Sequence, residues 1–211
     1  DSYKTLPLDL SSFAVKEKIN HVFCNNEFGF NEKVRDQHSK DCLKKNNIQL
    51  SSFNDQVIYD PGFLKTGQGK PFSVFTPFKR RWVENFDMNF LELELPRKSK
   101  KLSLIKGDLS ALKFTKTHSA NIDLWPAGES AAQEKLANFL QSKAQLYSES
   151  RNSPIIDGTS RISPYLALGI LSPKRCILEG LKLNNFEFTS GSKGICKWID
   201  EIIWREFYRN I

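Results

Sequence analysis

The last segment of the chain, residues 195–211, combines two indoles with a glutamate and an arginine at helical spacing. At about 100° per residue, one arc of such a helix is apolar and holds Ile195, Ile199, Ile202, Ile203 and Phe207. The opposing arc holds Trp198, Glu201, Trp204, Arg205 and Tyr208. Indoles supply stacking area and charged groups can read polar edges, so this second arc suits a flat aromatic ligand. The competing interpretation is a buried helix with a structural ion pair.

A second group of reactive side chains lies in the turn of residues 158–164, where three hydroxyls and one guanidinium precede a predicted helix. The residues are Thr159, Ser160, Arg161 and Ser163. Free N–H groups and the positive end of a helix dipole favour anions, so the turn suits a phosphate. An ordinary hydroxyl-rich turn with a serine cap is the alternative. The chain contains neither a Walker-type glycine loop nor a G-x-G-x-x-G sequence.

Asn31 and Glu32 form a third candidate, because they start a predicted helix directly after a predicted strand. In open α/β sheets, ligands bind beyond the carboxyl ends of the strands. The alternative is that Asn31 caps the helix and Glu32 only complements its dipole.

The elements that must position these groups change in character along the chain. Within residues 9–60 we predict a helix that contains Phe13, Val15 and Ile19, a strand over 21–24 and a helix over 31–46. Two short strands are predicted to follow, at 48–50 and 57–59. Alternating strands and helices indicate part of a parallel, doubly wound sheet with too few strands to be complete.

Residues 61–125 show weak periodicity and include a basic run at 97–101, which is typical of a connection between domains. One short helix is expected there, starting near Pro77. From residue 126 the pattern becomes helical. Ser163-Pro164 and Ser172-Pro173 each place a capping serine before a proline at the first helical position, and Gly169 separates the two short helices.

Composition restricts the class of protein. The 211 residues are 39% hydrophobic, enough for a buried core, and no run approaches the length of a membrane span. We therefore expect a soluble cytoplasmic protein, cut from a longer one because no initiator Met is present. The net charge of +7 permits a polyanionic partner. The four scattered cysteines predict buried free thiols rather than a metal site or disulfides.

Taken together and in this order, these motifs resemble the photolyase/cryptochrome family, and among its members the class I cyclobutane pyrimidine dimer photolyases. The matching strings are GTSRISPYL at 158–166, LSP at 171–173, WIDEIIWREFYR at 198–209, VFTPF at 74–78 and NEKVRD at 31–36. The resemblance extends over residues 20–211.

The resemblance implies an α/β plus all-α architecture. Residues 1–60 would be the C-terminal part of a doubly wound parallel-sheet antenna domain, and 61–125 the connector. Residues 126–211 would form the first helices of the helical FAD-binding domain. The rest of the flavin cavity and the tryptophan relay would lie outside this chain, so flavin and DNA binding are expected of the longer protein rather than of the fragment by itself.

The resemblance also implies roles for individual residues. Around the FAD it places Tyr147, Thr159, Ser160, Arg161, Ile162, Ser163, Trp198 and Arg205. Glu201 would hydrogen-bond the flipped pyrimidine dimer, Trp204 would stack on it, and Arg151 would contact the DNA. Asn31 and Glu32 match positions that bind an antenna, 5,10-methenyltetrahydrofolate, in folate-type members.

The implied activity is light-driven repair of ultraviolet-damaged DNA by a monomeric enzyme. Excited reduced flavin passes an electron to a dimer that has been flipped out of the duplex, and the cyclobutane ring splits. Two alternatives stay open from the sequence. One is a cryptochrome-type flavin photoreceptor without repair activity, and the other is a structural or interaction domain.

Overall fold

The computed structural model describes residues 2–91 and 123–211. The basic run at 97–101 and most of the second half of the predicted connector lie outside the described residues. The chain forms two compact units, one of Asp1–Asn85 with Asp200–Ile211 and one of Phe86–Ile199. The functional boundaries after residues 60 and 125 stay predictions, since compactness alone does not test them.

The first unit contains a small parallel sheet flanked by helices. Its elements are α1 (Ser2–Lys16), β1 (His21–Asn25), α2 (Phe30–Lys45), β2 (Gln49–Phe53) and α3 (Phe75–Glu84). The strands pair in parallel, with His21 opposite Gln49 and Asn25 opposite Phe53. Parallel strands need a crossover connection, which α2 supplies. The structure thus confirms the predicted alternation of strand, helix and strand.

A hydrophobic cluster attaches α1 and α2 to the sheet. Ala14, Leu43 and Ile48 are its buried members. A hydroxyl reinforces the contact between the helices, since Ser11 Oγ donates to the Cys42 carbonyl at 3.1 Å. These contacts hold the last turn of α2, at the opposite end of the helix from the predicted Asn31–Glu32 site.

Residues 57–59 are buried as expected, but the predicted strand there is wrong. Val57, Ile58 and Tyr59 form no strand in the structure. The backbone N–H groups of Ile58 and Tyr59 donate to the carboxylate of Glu206 rather than to a neighbouring strand. A short apolar run indicates burial, whereas the partner of its backbone decides whether it becomes a strand.

The second unit is helical. Its elements are a 3₁₀ helix (Met88–Leu91), α4 (Glu129–Ser142), a further 3₁₀ turn (Ala144–Leu146), α5 (Tyr147–Ser150), α6 (Ser163–Ala167) and α7 (Pro173–Leu183). The last helix, α8 (Lys193–Asn210), contributes its residues up to Ile199 to this unit. The switch to helices after residue 126 is thereby confirmed.

One of the two predicted serine caps is present. Ser172 Oγ accepts a hydrogen bond from the Lys174 N–H at 3.2 Å and caps α7. Ser163 does not cap α6, because it is already the first helical residue and Ile162 occupies the cap position. The cap prediction for Ser163 is wrong by one residue, which frees its hydroxyl from that structural role.

The apolar arc of α8 is buried along its whole length, as its spacing predicts. In the second unit, α8 approaches α7 at Gly180. A Cβ added there would meet Trp198 at 3.0 Å and Ile199 at 3.1 Å, so glycine permits this close contact.

No helix among the described residues is long and apolar enough to cross a membrane. The four cysteines are free thiols, but only Cys176 is fully buried. Burial was expected of all four, and it holds for the one on the core face of α7.

Candidate functional site

The hydroxyl-rich turn lies in the second unit and is held by one apolar side chain. Ile162 is 3% exposed and anchors the turn in the core. Thr159 and Ser163 are exposed, and Ser160 is half-buried. The predicted flavin-phosphate hydroxyls can therefore reach a ligand without displacing the core.

Arg161 gives the turn its shape. Its φ of 51° lies in the left-handed region, which non-glycine residues adopt infrequently. Its carbonyl accepts a hydrogen bond from Trp125 Nε1 at 2.9 Å, and its guanidinium pairs with Asp157 at 3.0 Å. Both ends of the residue are thus engaged, which stabilises an otherwise unfavourable backbone conformation.

A pocket of about 370 Å³ opens beside this turn. Its polar walls include three cationic residues, Lys135, Lys143 and Arg161, three carboxylates, Asp123, Glu134 and Asp157, and the hydroxyls of Thr159 and Ser160. Lys143 Nζ lies 2.6 Å from the Asp157 carboxylate, and this hydrogen bond is the main reason that the pKa of Asp157 is lowered. The three carboxylates balance the charge of the three cationic residues, so a phosphate would be held by hydrogen bonds from the hydroxyls and from the cationic side chains rather than by a net positive charge.

Tyr147 and Arg151, assigned to different ligands from the sequence, contact each other. The Arg151 guanidinium lies 5.6 Å from the centroid of the Tyr147 ring. Tyr147 is itself buried and meets Phe139 edge-to-face at 5.8 Å. The contact holds Arg151 in place at the edge of this aromatic group.

Trp198 lies in the core of the second unit rather than on an open face. It is 2% exposed and packs against Phe139 at 5.4 Å between ring centroids. The expectation that it shares an accessible arc with Trp204 is wrong, because its position beside the apolar arc turns it toward α4 and α7. Any flavin contact of Trp198 would be made from a fully packed position.

In the first unit, the last part of α8 presents a group of stacked rings. Trp204 lies parallel to Phe75 of α3, with centroids 3.8 Å apart and planes at 10°. Tyr208 stacks on Trp204 at 5.5 Å and is largely exposed. Glu201 precedes Trp204 by three residues and is half-buried like it. The two predicted dimer-contacting residues therefore share one side of α8, as the spacing indicates.

Arg205 is bound to the backbone of the same unit. Its Nη1 donates to the Gln56 carbonyl at 2.6 Å. The sequence assigned Arg205 to the flavin; the structure adds this hydrogen bond, which attaches α8 to the segment after β2.

Glu206 was not among the predicted site residues. Its carboxylate accepts hydrogen bonds from Ile58 N at 2.6 Å, from Tyr59 N at 3.1 Å and from Trp82 Nε1 at 2.9 Å. Burial raises the pKa of Glu206 to about 7, although the three hydrogen bonds and the Arg205 charge oppose the shift.

Asn31 and Glu32 begin α2 directly after β1, as predicted, but they face different surroundings. Asn31 lines a pocket of about 460 Å³, together with Lys4, Pro7, Phe30, Val34, Arg35 and His38. Glu32 is not among the lining residues, and its carboxylate folds back against Gly29. Aromatic, apolar and cationic groups around Asn31 suit a ligand with a flat ring and carboxylates, such as a folate.

Comparison with known proteins finds similarity to photolyases over most of the chain. The family model described as DNA photolyase matches residues 7–99. A deoxyribodipyrimidine photo-lyase of Escherichia coli is 32% identical over 196 residues, which cover 93% of this chain and 41% of that protein. The chain is similar to members of the DNA photolyase family.

Solved structures show the same similarity. A bacterial class III photolyase from Agrobacterium tumefaciens has a TM-score of 0.78 and 28% identity, and the match covers 97% of this chain and 43% of that one. A cryptochrome from Synechocystis has a TM-score of 0.70 at 19% identity and shows the shared fold alone. The chain thus spans less than half the length of these photolyase-family proteins.

For Glu206, the sequence itself contains a signal. At helical spacing it falls in the middle of the apolar arc of α8, between Ile202 and Phe207. A carboxylate on a buried face needs internal donors, so its position predicts a polar cluster in the core. The identity of the donors could not be read locally, because they lie more than 120 residues earlier.

Proposed function

We propose that the protein carrying this chain repairs ultraviolet-damaged DNA with light, using FAD to split cyclobutane pyrimidine dimers. Curated relatives that match nearly the whole chain are named deoxyribodipyrimidine photo-lyase, which supports this reaction. The observation that carries the proposal is the side of α8 with Glu201 and Trp204, where an indole lies one turn from a carboxylate.

The geometry around Trp204 suits a base that has left the duplex. Phe75 supports the indole from α3, so the ring does not need to be ordered when a ligand arrives. A flipped pyrimidine dimer would stack on this group of rings, and Glu201 would hydrogen-bond its polar edges. Reduced FAD, when bound, supplies the electron for ring splitting, and these side chains hold the dimer for it.

Basic residues would supply affinity that does not depend on damage. The net charge of +7 favours contact with the phosphate backbone. Arg151 is our candidate for one such contact, because Tyr147 holds its guanidinium in place.

A repair assay tests the proposed function directly. The full-length protein, reconstituted with FAD and reduced, is mixed with an oligonucleotide that contains one thymine dimer and is then exposed to blue light. We expect loss of the dimer in the light and none in the dark. Bound flavin with no light-dependent loss of the dimer would contradict the proposal and favour the photoreceptor alternative.

We further propose that Thr159, Ser160 and Ser163 bind the FAD phosphates. Replacing all three with alanine is expected to lower flavin occupancy of the purified protein at least about tenfold, because each hydroxyl can give a phosphate oxygen a hydrogen bond of about 1.5–3 kcal/mol. Flavin absorbance relative to protein measures the effect.

Ser172→Ala is the matched control for this triple variant. It removes the hydroxyl that caps α7, so it should lower the melting temperature without releasing flavin. Equal flavin occupancy in the triple variant and in the wild type would show that the three hydroxyls do not bind the FAD phosphates and that the turn has a structural role only.

For the antenna, we propose that the pocket at the start of α2 holds a folate. Asn31→Ala is expected to weaken the near-ultraviolet folate absorption of the gently purified full-length protein, while flavin stays bound. Glu32→Ala is expected to have the smaller effect, because the Glu32 side chain lies against Gly29 and does not line the pocket. Gln37→Ala is the control, since Gln37 is exposed on α2 and pairs with Asp41. A folate band that survives both substitutions would place the antenna elsewhere.

A further inference from the structure

A buried carboxylate in the first unit plays no part in the function proposed above. Glu206 is 4% exposed, and three N–H groups from two separate segments converge on its two oxygens. Two of them are backbone groups, of Ile58 and Tyr59, and the third is the indole N–H of Trp82. Burying a charged side chain costs free energy. A buried glutamate is therefore expected where it makes hydrogen bonds that an apolar side chain cannot make.

The chemistry of the three partners explains why a carboxylate stands here. All three are donors, and a carboxylate is the side chain that only accepts. Glutamine has the same shape, but its amide nitrogen would turn N–H groups toward one of the donors. An apolar residue would leave all three donors without a partner, at a cost for each buried group.

Glu206 is one of three consecutive residues of α8 that bind neighbouring elements of the same unit. Trp204 stacks on Phe75, Arg205 donates to the Gln56 carbonyl, and Glu206 binds the next residues of that segment. The three contacts together attach both the segment after β2 and α3 to α8.

Helix α3 links the carboxylate to the stacked rings. It carries Phe75 near its start and Trp82 seven residues later, a spacing of two turns on one face. Trp82 is completely buried and is tied to Glu206 through its indole N–H. The hydrogen bond therefore contributes, alongside the Lys79–Asp200 ion pair, to holding α3 against α8, where Phe75 stacks on Trp204.

We propose that Glu206 is a positioning residue, which locks α3 and residues 56–59 onto α8 and thereby sets the Trp204 indole at the angle needed to stack on a flipped base. The proposal rests on the proposed function, because that function gives Trp204 its ligand. It adds a residue that touches neither the dimer nor the flavin.

The test compares Glu206→Gln with the wild-type full-length protein loaded with FAD. Fluorinated tryptophan is incorporated, and the Trp204 and Trp82 signals are assigned by single replacements. We expect both fluorine signals to shift or broaden in Glu206→Gln. We also expect affinity for a thymine-dimer oligonucleotide to fall at least about fivefold, with little change for the undamaged duplex.

A second contact between the same helices provides the control. Lys79 of α3 pairs with Asp200 of α8 at 2.6 Å. Lys79→Met should lower the melting temperature but leave the Trp204 signal and the preference for damaged DNA unchanged. If Lys79→Met reproduced the effects of Glu206→Gln, Glu206 would be a general structural residue and the proposal would be overturned.

Two further variants distinguish failure of the positioning proposal from failure of the proposed function. Trp82→Phe removes the indole N–H together with the five-membered part of the ring, and it should shift the Trp204 signal and lower the preference for damaged DNA if Glu206→Gln proves too unstable to purify. Trp204→Ala, measured in parallel, tests the proposed function itself. Suppose that Trp204→Ala loses the preference for damaged DNA, whereas Glu206→Gln keeps both the wild-type Trp204 signal and the wild-type affinity. This result would overturn the positioning role of Glu206 and leave the proposed function in place. If Trp204→Ala kept its preference for damaged DNA, the proposed ligand of Trp204 would be wrong. The fluorine signals of Glu206→Gln would then test on their own whether Glu206 positions the Trp204 indole.

Discussion

The stability of the wild-type chain is expected to fall relative to that of Glu206→Gln as the pH rises from about 4.5 to about 7. The folded-state pKa of Glu206 is raised from 4.5 to about 7, chiefly by burial. The folded protein therefore holds this proton over a pH range in which the unfolded chain has released it. The stabilisation is complete below about pH 4.5 and is lost as the pH passes through about 7. At about 1.4 kcal/mol per pKa unit, the free energy of unfolding should change by about 3 kcal/mol.

Urea unfolding at a series of pH values measures this difference. Other carboxyl groups titrate in the same range, but they are common to both proteins and cancel in the comparison. Glu206→Gln has its own cost of about 1–3 kcal/mol, because one donor faces an amide N–H, and this cost does not vary with pH. Parallel stability curves for the two proteins would show that Glu206 does not titrate in the folded state as its burial requires.

Trp204→Ala is expected to weaken binding to dimer-containing DNA by about 1–3 kcal/mol, roughly five- to 150-fold, with little change for undamaged duplex. The reason is that only a base outside the duplex can stack on the indole, and undamaged DNA presents none. Titration of the full-length protein with matched damaged and undamaged oligonucleotides measures both affinities.

Two control variants distinguish stacking on a flipped base from ring packing and from phosphate contacts in that titration. Trp204→Phe keeps a ring against Phe75 and should retain most of the damage preference, whereas alanine leaves a gap beside α3. Arg151→Ala should weaken both oligonucleotides and reduce the salt dependence by about one phosphate contact. Equal weakening of damaged and undamaged DNA by Trp204→Ala would assign that indole to packing instead of to a flipped base.

Periodicity along the sequence was enough to predict the elements that bear the candidate sites. The strand at 21–24, the helix at 31–46 and the apolar arc of α8 are all present, within a residue or two at their ends. Side chains one turn apart share a helix face whatever surrounds the helix, so the neighbourhood of Glu201 and Trp204 was also predictable. The family resemblance likewise rested on the sequence alone.

Burial and partner choice were decided by the tertiary structure. Trp198 and Trp204 looked equivalent in the sequence, yet Trp198 is enclosed by Phe139 and Gly180 whereas Trp204 lies beside Phe75. Which face of a helix is covered depends on the elements that pack on it, and these come from distant parts of the chain.

The segment at 57–59 shows the physical reason for this division. Its apolar residues predicted burial correctly, but an unpaired backbone N–H in the interior must find an acceptor, and the sequence does not name it. The acceptor is Glu206, 148 residues after Ile58. Local patterns encode the propensity to form helices and strands and to be buried, whereas a hydrogen bond between such distant residues exists only once the chain has folded.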